Sequence, residues 1–155
     1  EDLAHWYIQL VSESLGKNRK GLTTTISNCP KDHHSTMQLY LDGPKDKFFT
    51  FLSSSSNGKN LKLPPNVLIN NISFLKNKKM KFIINAQSNA AKKVFKTKKI
   101  PFRQIDLRKK NEEELGMIFT FFVLETILLA RLMKVNPFNQ PAVDQIKIET
   151  KKILT

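Results

Sequence analysis

The chain has 155 residues, 40% of them hydrophobic and 25% charged, which is the composition of a globular protein and excludes a disordered or fibrous one. That length makes one domain, able to bury roughly two thirds of the surface its unfolded chain exposes. Lys and Arg number 26 against 13 acidic residues, a net charge of +13, and the single cysteine, Cys29, rules out an internal disulfide framework and suits a reducing, cytoplasmic setting.

The chain opens on Glu1 rather than Met, as expected of a processed, truncated or excised sequence. Residues 3–15 read as a helix, with Leu3, Trp6, Tyr7, Leu10 and Val11 on one apolar stripe and Gly16 as its stop. Residues 21–27 are rich in Thr and read as a short strand or an extended segment. Asp32 is predicted to cap a second helix running through Gln38 and Tyr40, ended by Gly43-Pro44. Residues 47–53, dense in Phe and Leu, predict a buried strand, and the serine-rich stretch 53–60 a flexible loop.

Pro64-Pro65 opens a predicted helix to Leu75, with Val67, Leu68, Ile72 and Leu75 on one face. Residues 81–94 stay open between a strand (Phe82, Ile83, Ile84) and a helix, with Ala90, Ala91, Val94 and Phe95 favouring the helix. A strand is predicted over 101–107. Asn111 then caps a long helix whose first turn carries Glu112, Glu113 and Glu114, where the helix dipole favours acids. That helix is apolar nearly all round from Leu115 to Met133, which predicts burial. Glu125 and Arg131 leave its uncharged run too short to span a bilayer, so no membrane partner is expected. Helices alternating with about three short strands define an α/β layer fold. Three strands are too few for a self-contained parallel sheet, so further strands are expected upstream of Glu1.

The lysines cluster at 76–81, 92–99 and 108–110. Clusters of this kind raise nucleic acid as a partner. They lack interleaved aromatic stacking platforms apart from Phe95 and Phe102, so a solvated basic surface that attracts a phosphorylated substrate is the better reading. Three segments bear groups suited to chemistry. Glu13 lies in Glu-Ser-Leu-Gly-Lys, and by itself reads as a solvated carboxylate at a helix end. His33 and His34 form a pair that is half of a metal set, but no further ligands stand at the right spacing and no metal is expected. Near the C-terminus Pro141 suits the first turn of a helix, and Gln140 and Lys147, seven residues apart, fall on one side of it. An amide and an ammonium so placed can grip a polyhydroxyl anion, although composition alone describes a capped surface helix.

These segments, Trp6 to Lys17, Asp32 to Pro44 and Leu132 to Lys147, resemble in order those of the glucose-6-phosphate isomerase family. The resemblance covers most of the chain, from about Trp6 to Lys147. It implies Glu13 as the base that moves a proton between C1 and C2 of the open-chain sugar, a role that suits a buried carboxylate of raised pKa. It implies His34 and Lys147 in ring opening and Gln140 in positioning the substrate. The implied fold is a three-layer α/β/α sugar-isomerase (SIS) domain, flavodoxin-like. Residues 1–133 would be the second SIS domain of a larger enzyme and residues 134–155 its active-site tail helix. The phosphate cradle and an arginine of the family lie upstream of anything present here, so the isolated chain is expected to be inactive. The family further implies a homodimer with shared active sites, a sugar-phosphate substrate and no cofactor. Two other readings stand beside it: a non-catalytic sugar-phosphate-binding SIS module and a basic nucleic-acid-binding protein.

Overall fold

The computed structural model describes residues 1–54, 61–62 and 70–155. They comprise helices α1 (Asp2–Leu15), α2 (Asp32–Ser35) and α3 (Met37–Asp42), strand β1 (Phe49–Ser54), a 3-10 segment (Asn70–Leu75), helix α4 (Met80–Thr97), strand β2 (Phe102–Leu107), and helices α5 (Glu112–Met133) and α6 (Pro141–Leu154). The chain divides into two compact units: Glu1–Ile26 with Asn111–Thr155, and Ser27–Lys110.

The second unit is organised by β1 and β2, which pair in parallel from Phe49↔Phe102 to Ser54↔Leu107. Parallel strands cannot be joined by a tight turn, and the connection between these two contains α4. Alternation along β1 puts Phe49 and Phe51 on one face. Phe95 of α4, essentially fully buried, meets both rings edge-on at 4.9 and 5.2 Å, and Phe102 at 6.1 Å. The mixed α/β character read from the sequence is present, as is the helical choice for residues 81–94.

Several elements differ from expectation. Among the described residues only β1 and β2 form strands, and 21–27 form none. The strand β1 is not buried on both sides: Thr50 and Leu52 are exposed, because Phe95 covers a single face. The helix expected from Asp32 to Tyr40 is two helices broken at Thr36, whose hydroxyl donates back to the Asp32 carbonyl. Asp32 does not cap it. It is the first helical residue, and its carboxylate accepts from the Asn28 amide at 2.6 Å. Residues 64–69 and 55–60 lie outside the described residues, and 70–75 form a 3-10 segment rather than the end of an α-helix.

In the first unit α1 packs against α5. Val11 and Leu15 join Ala130 and Val135 in a buried cluster. Trp6 meets Phe119 edge-on at 4.4 Å and Tyr7 meets Phe122 at 4.3 Å. Asn111 caps α5 as expected, its Oδ1 accepting from the Glu114 amide at 3.0 Å. The expectation of all-round burial fails. Ile118, Phe122, Thr126 and Ala130 are buried, every fourth residue, whereas Met117, Phe121, Leu124, Leu128 and Leu132 are exposed. A single helix, α1, covers only the narrow stripe that i, i+4 spacing presents. By length and composition α5 also passes as long and apolar enough to cross a membrane, contrary to the reading of its charges. Its Glu125, however, accepts a hydrogen bond from the Tyr7 hydroxyl of α1 at 3.2 Å.

Candidate active site

The last turn of α1 carries Glu13. Its carboxylate is bracketed: Gln9 Nε2 donates to Oε1 and Gln140 Nε2 to Oε2, each at 2.9 Å. Gln9 stands one helical turn before Glu13, where i, i+4 side chains meet. Gln140 arrives from the far end of the sequence as the residue before α6, with Pro141 at the first helical position. Glu13 is exposed, not buried as expected. Only the inward face of α1 packs on α5, and Glu13 lies outside it, alongside Gln140.

The chain around Glu13 is tightly specified. Gly16 closes α1 by donating its amide to the Ser12 carbonyl, and a Cβ there would stand 2.7 Å from that same oxygen. Lys17 and Lys20 then bond each other's backbones across a turn in which Asn18 and Arg19 both have positive φ, 53° and 59°. This is the signature of a type I′ turn. Gly21, at φ 151°, has the conformation that side chains disfavour, and a Cβ there would meet the Gly16 Cα at 3.2 Å. The Glu-Ser-Leu-Gly-Lys wording therefore encodes a helix stop and reversal directly behind the carboxylate.

Helix α5 ends with Lys134 in the left-handed conformation and the Val135 amide donating to Ala130, the hydrogen bond of a Schellman-type stop. The Phe138 amide then donates to Asn136 Oδ1 at 2.9 Å, turning the chain towards Gln140.

The structure thus brings Glu13 and Gln140 together. It does not join Lys147 to them: two turns along α6, its ammonium faces Asp144 at 3.3 Å and is exposed. His34 is on α2, in the other unit, and is exposed. Its neighbour His33 is half-buried, with a buried Nε2 that has no hydrogen-bond partner. Gln9 was passed over in the sequence, although its position four residues before Glu13 on one helix was the available signal. Among the described residues no group of three or more His, Cys, Asp or Glu side chains gathers.

No protein-family model matches the chain. Solved structures and curated sequences do. A hypothetical protein of Thermus thermophilus superposes with a TM-score of 0.85 over 99% of this chain and 38% of its own, at 26% identity. Fold and sequence place the chain among α/β proteins of which it represents one part. Glucose-6-phosphate isomerase of Methanocaldococcus jannaschii is 34% identical over 92% of this chain and 35% of its own length. The enzyme of Campylobacter jejuni is 32% identical over 96% and 38%. A probable glucose-6-phosphate isomerase of Methanococcus maripaludis is 34% identical over 97% and 33%. In sequence the chain is a C-terminal region of the glucose-6-phosphate isomerase family, spanning about a third of the length of the curated relatives it matches.

Proposed function

We propose that this chain supplies the proton-transfer base of an aldose–ketose isomerase that interconverts glucose 6-phosphate and fructose 6-phosphate. The observation that carries the reading is the bracketing of Glu13 by Gln9 and Gln140. It unites the first and last of the sequence segments that resemble the family, over 127 residues of separation. Two amides aimed at one carboxylate fix its orientation, and each amide keeps a carbonyl oxygen free to accept from a sugar hydroxyl.

The Glu13 carboxylate removes the proton from C2 of the open-chain aldose, giving a cis-enediol, and returns it to C1 while the hydroxyl proton passes between O2 and O1. No electrons leave the sugar, so the reaction balances without an oxidant. His34 and Lys147 assist ring opening, the imidazole by giving and accepting a proton and the ammonium as a point charge beside the sugar oxygens. Gln140 positions the substrate. In this reading residues 1–133 belong to the second SIS domain and 134–155 form the active-site tail. His34 serves the site of a partner subunit in a homodimer. The phosphate cradle lies outside this chain, which is therefore inactive alone, and the whole enzyme works in the cytoplasm without a cofactor.

The test is a coupled assay of fructose 6-phosphate conversion to glucose 6-phosphate, run on this chain and on the full-length protein, each with and without Glu13→Gln. Activity in the full-length protein alone, lost on substitution, is the expected result. Turnover that survives Glu13→Gln would remove Glu13 from the base role. Sugar-phosphate binding without turnover in either protein would favour the non-catalytic module.

A further inference from the structure

Helix α6 has no buried side chain of its own, so its placement depends on how the chain enters it. That entry is held by two ammonium groups from the turn behind Glu13. Lys17 Nζ donates to the Asn136 carbonyl at 2.6 Å and to the Ser14 carbonyl at 2.8 Å. Lys20 Nζ donates to the Met133 carbonyl at 2.8 Å. Met133 is the last residue of α5, where carbonyls lack intrahelical partners and the helix dipole attracts a cation. Lys17 is partly desolvated, which lowers its pKa and marks an ammonium drawn out of bulk water towards those carbonyls.

From the struts at residues 133 and 136 only a short turn leads to Gln140 and its bond to Glu13 Oε2. Glu13, the end of α1, the Lys17–Lys20 turn, the exit of α5 and Gln140 therefore form a closed ring of contacts. We infer that Lys17 and Lys20 are positioning residues: they clamp the exit of α5 so that the Gln140 amide is held against the Glu13 carboxylate. The clamp itself is a property of the chain, and only its catalytic consequence rests on the isomerase reading. If Glu13 is the base, a misplacement of about 1 Å of the group opposite it is enough to cost up to about a hundredfold in rate.

The experiment has two arms that fail separately. In the first, this chain is labelled with 15N. The side-chain amide resonances of Gln140 and the backbone exchange of α6 are compared in wild type, the double variant Lys17→Met/Lys20→Met, the single variant Lys20→Gln and the conservative Lys17→Arg. The double variant is expected to lose the shifted Gln140 amide signal and α6 protection, while α4 exchange is unchanged. Lys20→Gln gives a partial loss, and Lys17→Arg, which keeps a cationic donor, retains the signal. An unchanged Gln140 signal in the double variant would overturn the clamp. If the double variant does not fold, an unchanged signal in Lys20→Gln would overturn it equally. The second arm measures kcat and KM of the full-length protein carrying Lys17→Met. A fall in kcat of about ten- to a hundredfold, restored by Lys17→Arg, is expected. Loss of the Gln140 signal with kcat intact would leave the clamp standing and overturn its role in turnover. Should Glu13→Gln also be active, the fault would lie with the assignment of the base.

Discussion

Glu13 and Lys147 are attached to the protein in opposite ways. Glu13 has both oxygens engaged by amides, one from its own helix and one from the far end of the chain, behind it a glycine that tolerates no Cβ, and below it the packed stripe of α1. Lys147 stands on a helix with no buried side chain and pairs with an exposed aspartate one turn away. A surface ion pair of that kind contributes little and is easily exchanged. The contrast teaches that the carboxylate is preorganised within this chain, whereas the lysine is free to respond to whatever ligand or subunit approaches. In the proposed reading, a base that serves two adjacent carbons benefits from fixed geometry, and a charge that follows moving oxygens benefits from slack.

The largest effect that would break the comparison is chemical. In the proposed reading Glu13→Gln keeps the size of the side chain but removes the base and turns one of its two accepting oxygens into an NH2 that faces an amide donor, and is expected to lower kcat of the full-length protein by about two to four powers of ten. Lys147→Met should cost less and act more on KM; equal losses from the two substitutions would erase the distinction. Next comes Phe95→Ala in the other unit. Removing this buried ring from between Phe49, Phe51 and Phe102 should destabilise Ser27–Lys110 by about 3–5 kcal/mol, read from denaturant unfolding. Fluorescence of Trp6, which packs in the first unit, reports whether α1 and α5 survive that loss. Asn111→Ala sharpens the picture at about 1 kcal/mol, through the cap of α5.

Smallest is the effect of acid on the Asp42–Lys98 pair. Hydrogen bonds from Lys98 and Gln38 hold the Asp42 carboxyl below its ordinary value. A carboxyl depressed in the folded state adds stability above its unfolded pKa, and that stability is lost as pH falls through the folded one. A slight decline in the midpoint of unfolding below about pH 4 is expected, smaller in Asp42→Asn, where the depressed carboxyls of Asp46 and Asp106 remain. Both groups are exposed, so salt should weaken it further.

Where the governing forces are local, the sequence was readable. Asn111 followed by three glutamates announced α5, Gly16 announced the end of α1, and the strands around Phe49 and Phe102 fell within two residues of their predicted positions. The resemblance gave Glu13 and Gln140 separate roles, but their hydrogen bond was not legible, since nothing in spacing joins residues so far apart. Errors arose where neighbours decide. An all-round apolar helix implies burial on every side, yet α1 covers one stripe of α5. Thr36 breaks a helix that the pattern ran straight through. Lys17 and Lys20 could not be told from the other lysines, because their partners are backbone carbonyls that carry no mark in a sequence.

The exposed side of α5 has a colloidal consequence. Met117, Phe121, Leu124, Leu128 and Leu132 put an oily ridge on a molecule whose net charge of +13 repels its own kind. At about 0.01 M ionic strength that repulsion reaches about 30 Å and keeps molecules apart, but at about 0.15 M it fades within about 8 Å, inside the range at which the ridges meet. Added salt should therefore turn a dispersed solution of this chain into an associating one, the reverse of ordinary salting-in, with light scattering rising as the conductivity does.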